Sequence, residues 1–332
     1  MSVDLAGRGA DQRTSRGRGS GGVGPTPSPT VRRGRTTFWR QREDNLYGYL
    51  FILPWLVGFL VFNLGPMLTS LGLAFTDFDL LTSPEWVGLD NFVTMFTNDI
   101  RYFSSVRVTA LYALVSVPFQ LALALVLAMV LNRDLRGLSV YRASYYLPSL
   151  LASSVAIAIV WRQVFGQEGI INAILAVFGV AGPGWMAHPD YAIYPLICLR
   201  IWHFGTPMVV FLAGLKQIPK EFYEAAAVDG AGKLPQFFRI TLPLLTPIIF
   251  FNLVLNMIYA FRSFTPAFIL SNGTGGVLDS MLVYTLYLYK QGFGQFHMGY
   301  ASAMAWVLLS AVALLTGVNF LTSKHWVFYG DE

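Results

Sequence analysis

Lys220 to Pro243 reads KEFYEAAAVDGAGKLPQFFRITLP, a polar stretch set between two long apolar runs. Pro219 stands where a helix begins, Glu221 and Glu224 occupy the first turns, and Gly230 follows the last helical position. Pro235 can open a second short helix through Gln236, Phe237 and Phe238, after which Ile240, Leu242 and Pro243 lead into the next apolar run. The pattern predicts two short helices joined by a sharp turn and lying across a bilayer surface. A membrane protein that keeps a folded, charged hairpin at its face usually has something soluble to hold.

The rest of the chain supplies the membrane. Hydrophobic residues make up 55% of the 332 and charged residues only 12%, a balance no soluble core of this size needs. Uncharged runs long enough to cross a bilayer occur at Gly48–Phe75, Val108–Leu131, Ala143–Trp161 and Met298–Ser323. Two further runs carry charge inside: Tyr191–Leu215 holds Arg200 and His203, and Ile240–Leu270 holds Arg262. The expected fold class is therefore all-α, a polytopic bundle of six transmembrane helices. Ile170–Gly179 is too short to cross and is expected as an interfacial helix; Ser280–Tyr289 is expected as an outer-surface or partly re-entrant helix.

Charge gives the orientation. Seventeen of the 23 Lys and Arg lie in the N-terminal tail, the Asn132–Arg142 turn, the Lys216–Arg239 loop and the C-terminal tail, which assigns those regions to the cytoplasm. Both termini are then expected in the cytoplasm. The net charge of +5 reports topology, and without a folded basic module no nucleic-acid partner is expected. Residues 1–46, rich in Arg, Gly, Ser and Pro, are expected to be a disordered basic tail; 47–105 carries the first span and an outer loop, 106–323 the main transmembrane domain with the hairpin at 219–243, and 324–332 a short tail. Cys198 lies within a span and has no cysteine partner in the chain.

Glu224-Ala225-Ala226, three residues, Asp229-preceded Gly230, nine residues and then Ile240-x-Leu242-Pro243 resemble the EAA loop of membrane subunits of binding-protein-dependent ABC importers. The resemblance runs from about Tyr49 to the C-terminus. WVGLDNF in the first outer loop, VDGAG after the EAA triplet, FFRITLPLLTP and MGYASAMAW make it similar to the carbohydrate-uptake permeases, the maltose and glycerol-3-phosphate type. One departure is Gly275-Gly276 followed by Val277, where the family often carries Pro.

The resemblance implies a type I ABC-importer permease fold and a coupling helix that docks into a cleft of a separate ATPase, with Glu224, Ala225, Ala226, Asp229, Gly230, Ile240, Leu242 and Pro243 as the coupling residues. ATP and Mg would be held by that partner, and no cofactor by this chain. It also implies an ATPase dimer, a second homologous permease subunit, an extracytoplasmic solute-binding protein and a carbohydrate substrate. In the family the midmembrane sugar site, where present, draws on the third span and the helices either side of the coupling loop. Positionally that selects Ser149, Ser153, Arg200, His203, Asn256, Tyr259, Arg262 and Ser263.

The residues themselves point the same way. A charged side chain facing lipid near the bilayer centre is costly, so Arg200 and Arg262 are expected to face the bundle interior or a water-filled cavity. Asn252, Asn256, Tyr259 and Ser263 recur at rough helical spacing as a polar stripe. The competing reading is that the arginines snorkel and the asparagines are interhelical glue. Gly230-Ala231-Gly232-Lys233 has the look of a phosphate-loop tail, but Ala227 and Leu234 occupy positions that need Gly and Ser or Thr. No catalytic constellation and no metal-ligand cluster emerges, so the chain is not expected to be an enzyme. An amino-acid, peptide or metal permease of the same superfamily is the first alternative. An ion-coupled secondary transporter would need acidic residues inside the spans, and the six runs contain none.

Overall fold

Lipid cannot satisfy backbone N–H and C=O groups, so an apolar chain crosses it only as helices or closed barrels, and here the answer is helices. The computed structural model describes residues 49–132, 137–151 and 154–328. The basic tail expected over 1–46, part of the Asn132–Arg142 turn, Ser153 and residues 329–332 lie outside the described residues. The described chain falls into two units, 49–60 and 61–328.

Among the described residues five helices are long and apolar enough to cross a membrane, or six if one bent pair is counted as a span. Helix α1 (Tyr49–Leu73) widens into a π turn at Leu60–Leu64, just ahead of Pro66, whose missing N–H interrupts the ordinary helical ladder. An outer loop follows. Strand β1 (Thr76–Asp77) pairs antiparallel with β2 (Glu85–Trp86), and α2 (Asp90–Thr97) is anchored by Asn91, whose amide donates to the Ala74 carbonyl at 3.0 Å and the Thr76 carbonyl at 2.9 Å. Trp86 and Phe96 are exposed, as interfacial aromatics should be, while Phe92 packs on Phe75 at 5.5 Å.

Helix α3 (Ile100–Leu131) has 32 residues and spans roughly 48 Å at 1.5 Å per residue, starting well before the expected Val108. Its buried face, including Ser105, Thr109, Tyr112, Ser116 and Gln120, follows helical spacing and mixes small and polar residues with a few bulky ones. The expected third span, Ala143–Trp161, is not one rod. It is α4 (Leu138–Leu151) and α5 (Val155–Val164), bent by 99°. Pro148 weakens the end of α4, and Ser154 is extended backbone whose Oγ accepts from the Ile157 amide at 3.3 Å, so it starts a new helix instead of continuing the old one.

After the short α6 (Ile170–Val177), α7 (Ile193–Trp202) and α8 (Gly205–Gln217) form the fourth span, broken at His203 and Phe204. The hairpin helix is α9 (Lys220–Val228). The fifth span, expected over Ile240–Leu270, starts and stops earlier. Helix α10 (Lys233–Phe261) absorbs the second short helix through a π turn at Phe237–Thr241 and ends before Arg262. Pro266 then opens a separate helix, α11 (Thr265–Leu270). Of the two alternatives for Ser280–Tyr289, outer-surface or partly re-entrant, the segment does not take the surface one: helix α12 (Tyr284–Tyr289) packs against α3, and Leu282 and Leu286 are fully buried. Helix α13 (Met298–Ser323) is the last span, and Trp326 beyond it folds back onto Phe250 of α10. The core of the larger unit forms where α3 packs along α7, α8 and α10.

One close approach fixes the start of α13. Phe78 O accepts from the amides of Met298 and Gly299 at 2.8 and 3.1 Å, and a Cβ on Gly299 would run into the Thr76 carbonyl. Gly299→Ala is expected to destabilise the purified protein by about 1–3 kcal/mol through this overpacking. Gly317→Ala on the same helix meets open space and is the control: thermal unfolding in detergent should drop for the first and hold for the second.

Candidate functional sites: the polar hairpin and the membrane cavity

The hairpin is held by its own hydrogen bonds. Helix α9 ends at Val228, and the chain reverses through Gly230 at φ +78°, with the Gly230 amide bonded to the Ala227 carbonyl at 3.0 Å and the Ala231 amide to the Ala226 carbonyl at 2.8 Å. This pair of bonds is a Schellman cap, which needs a left-handed residue at the position Gly230 occupies. Tyr223 Oη and Thr241 Oγ1 lie 2.9 Å apart, and the Gln236 amide donates to the Ala231 carbonyl at 3.0 Å, so α9 is stitched to the base of α10.

What the hairpin presents is accessible. Glu224, Ala225, Asp229 and Gly230 are exposed, while Ala226, Ile240, Leu242 and Pro243 are half-buried. Phe222, Val228, Leu234 and Phe238 are exposed too, with Val228 at 89% and Leu234 at 71%. The structure thus brings the predicted coupling residues into one small, self-supported knob. Exposed apolar side chains on a charged hairpin make a surface suited to being covered.

The second site is a cavity of about 560 Å³ among α3, α4, α5, α7, α8, α10 and the start of α11. Ser149, Arg200, His203 and Asn256 line it, as do Tyr259, Arg262 and Ser263, so every described residue selected from the sequence for this site falls in one place. Ser153, the remaining one, lies outside the described residues.

A proline decides the shape of one wall. Pro207 has no N–H to offer the carbonyl four residues back, which is that of His203. The fourth span breaks there, and Gln120 Nε2 of α3 donates to the freed His203 carbonyl at 2.8 Å. Ser149 Oγ of α4 similarly accepts from the Thr206 amide at 3.1 Å at the new helix start. On the facing wall the polar stripe of α10 is largely internal glue: Asn252 donates to the Ile248 carbonyl at 3.1 Å and Asn256 to the Asn252 carbonyl at 2.9 Å. Arg200 Nη2 bridges the walls, 3.1 Å from both the Asn256 carbonyl and its Oδ1.

The asparagine bonds run within α10 itself, and the contact across to α7 is made by Arg200 on Asn256. The asparagine amides are engaged in helix contacts, yet three buried polar atoms in the lining, Gln120 Oε1, Arg200 Nε and His203 Nε2, have no partner among the described residues. Arg262 caps the end of α10 and is exposed. Tyr112 and Gln120 of α3 also line the cavity and were not selected from the sequence. The available signal was the stripe Thr109, Tyr112, Ser116 and Gln120 at helical spacing in an otherwise apolar run.

This geometry defines a class: a multi-helix membrane protein with a polar cavity among broken helices and a structured hairpin outside the apolar spans. Residues 111–324 match the model of the family described as binding-protein-dependent transport system inner membrane component. The chain belongs to that family. It is 53% identical over 292 residues to the probable ABC transporter permease protein YesP of Bacillus subtilis, covering 88% of this chain and 94% of that one. It is 31% identical to the arabinooligosaccharides transport system permease protein AraP of the same organism, covering 92% and 96%. The fold is shared with a chain of a bacterial alginate ABC transporter crystallised with a pentasaccharide-bound periplasmic protein, at a TM-score of 0.73 and 23% identity, covering 86% of this chain and 97% of that one. The protein is thus a multi-pass inner membrane component of a binding-protein-dependent system, and its part there is permeation rather than catalysis.

Proposed function

We propose that this chain is the permease subunit of an ATP-driven carbohydrate importer. The cavity carries the reading: its volume of about 560 Å³ sits in the range of roughly 300–1,000 Å³ that small-ligand sites occupy, and it offers hydroxyl, amide and aromatic groups together. Sugars need such a surface, because their hydroxyls require donors and acceptors and their C–H faces pack on rings. Relatives named for arabinooligosaccharides, lactose in Rhizobium radiobacter and sn-glycerol 3-phosphate in Yersinia pestis, at 30 to 32% identity, support the same substrate class.

Ser149, Arg200, His203, Asn256, Tyr259, Arg262 and Ser263 line the path. The α9 knob, with Glu224, Ala225, Ala226, Asp229 and Gly230 and the Ile240, Leu242 and Pro243 base, docks into a cleft of a separate ATPase. Two small alanines let a groove close on the helix, and Glu224 offers a carboxylate to a basic or amide partner. An ATPase dimer has two such clefts, so a second, homologous permease completes the pair, and a binding protein delivers sugar to the outer loops. The lysines and arginines of the hairpin face and the N-terminal tail set both termini in the cytoplasm.

The test is uptake by the complete importer in proteoliposomes, with ATP inside and the binding protein outside. ATP-dependent accumulation of a saccharide from a panel is expected. Accumulation of an amino acid or peptide in its place would move the chain to another branch of the superfamily.

A further inference from the structure

The charge lining the cavity is one-sided. Arg200 and Arg262 both reach it, and among the described residues no Asp or Glu does. The two ion pairs formed by described residues, Arg101 with Asp279 and His188 with Asp190, involve neither arginine. Arg200 gives Nη2 to the neutral oxygens of Asn256, and its buried Nε has no partner. His203 Nε2, buried in the same lining, is also without one.

A guanidinium held within an apolar bundle is costly unless it meets a countercharge. A neutral saccharide would not supply it. Ser149, Tyr259 and the asparagine oxygens suit the hydroxyls of such a sugar, but none of them offers a countercharge to Arg200 or Arg262. A guanidinium matches a carboxylate or phosphate in shape as well as sign, offering parallel N–H donors to two oxygens. A cavity lined by one sign of charge also concentrates ligands of the opposite sign.

We infer that the carbohydrate passing through this cavity is anionic, its carboxylate or phosphate engaged by Arg200 and Arg262. This rests on the cavity being the carbohydrate path. The competing source of countercharge is a carboxylate contributed by the second permease chain, which would leave the ligand neutral.

Uptake by the complete importer with its binding protein separates these. Two pairs of probes differ in little but charge: digalacturonate against galabiose, its carboxyl-reduced counterpart, and sn-glycerol 3-phosphate against glycerol. At least one acidic member is expected to accumulate about tenfold or more faster than its neutral counterpart, and which pair shows it tells carboxylate from phosphate. Arg262→Gln and Arg200→Gln are each expected to lower that acidic uptake by about tenfold or more, and Arg262→Lys to keep most of it. Arg262 is exposed at a helix end, so its variants test the idea without disturbing the core. Co-purification of the partner subunits with each variant reports assembly.

Preference for the neutral member of both pairs would overturn the inference and leave carbohydrate import standing. An acidic preference that survives both glutamine variants would overturn the assignment to these arginines. Accumulation of no saccharide, acidic or neutral, would take the carbohydrate reading down as well.

Discussion

Gly230→Asp is expected to leave the protein inserted in the membrane and to abolish ATP-driven uptake, with the ATPase no longer co-purifying. The reason is local geometry. Gly230 holds φ +78°, where a side chain other than glycine's costs roughly 1–2 kcal/mol. Nothing lies within 4 Å of the position a Cβ would take, so crowding inside this chain is not the cause of the effect. The loss comes from reshaping the Schellman cap that aims α9, and from a new charge beside Glu224 and Asp229 on the exposed knob. The apolar spans lie elsewhere and keep their packing. Gly230→Ala carries the backbone strain without the charge and should fall between the wild type and Gly230→Asp. Retained uptake with Gly230→Asp would count against the knob as the point of coupling.

Asp99→Ala is expected to have the largest effect on stability of any single change outside the cavity. Asp99 caps α3, its Oδ1 accepting from the Tyr102 amide at 3.0 Å. Its Oδ2 accepts from two hydroxyls at 2.6 Å each, Tyr287 beyond the outer turn and Tyr300 at the start of α13. Gln291 Nε2 donates in turn to Tyr287 Oη at 2.6 Å. Burial, and then the hydrogen bond and charge of Asp99, hold the Tyr287 phenol above its ordinary value, so it stays protonated and donates.

Removing the carboxylate takes away a helix cap worth about 0.5–2 kcal/mol. It also strands two hydroxyls, at about 1–3 kcal/mol each where no water replaces the acceptor. Tyr287→Phe with Tyr300→Phe in the Asp99→Ala background should recover part of the loss, because the stranded donors are gone. Thermal unfolding in detergent of the wild type, Asp99→Ala, the Tyr287→Phe/Tyr300→Phe pair and the triple variant gives the cycle. Equal melting of Asp99→Ala and wild type would show the three-element tie to be without weight.

How much of this was legible differs from one element to the next. The first helix of the hairpin and its turn were readable almost to the residue, because proline, acidic first-turn residues and Gly230 each act locally, whereas the second short helix proved to be the start of α10. The cavity was readable where the sequence broke the apolar rule: Arg200, His203, Arg262 and the α10 asparagines stand out because charge and amides in a span demand a reason. Tyr112 and Gln120 did not stand out, since hydroxyls and a single amide pass as ordinary helix glue until the facing carbonyl is known. Gln120 makes sense only once Pro207 is seen to free the His203 carbonyl, a relation between two spans.

The breaks were the least legible part. Every proline in the spans announces a kink, but whether the chain bends slightly, widens into a π turn, or starts a new helix depends on what can satisfy the freed carbonyl. At Pro66 a π turn precedes the proline, at Pro207 a neighbouring glutamine takes over, and after Pro148 the chain restarts at Ser154. The same limit explains α12. Its tyrosines and leucines suit a surface or a core equally by composition, and only their packing against α3 buries them.

Photo-crosslinking from position 225 in the complete transporter, with Ala225 replaced by a photoreactive residue, tests the central claim most directly. An adduct with the ATPase subunit is expected, stronger when ATP closes the ATPase dimer. Adducts confined to lipid or to this chain's own residues, unchanged by nucleotide, would contradict it.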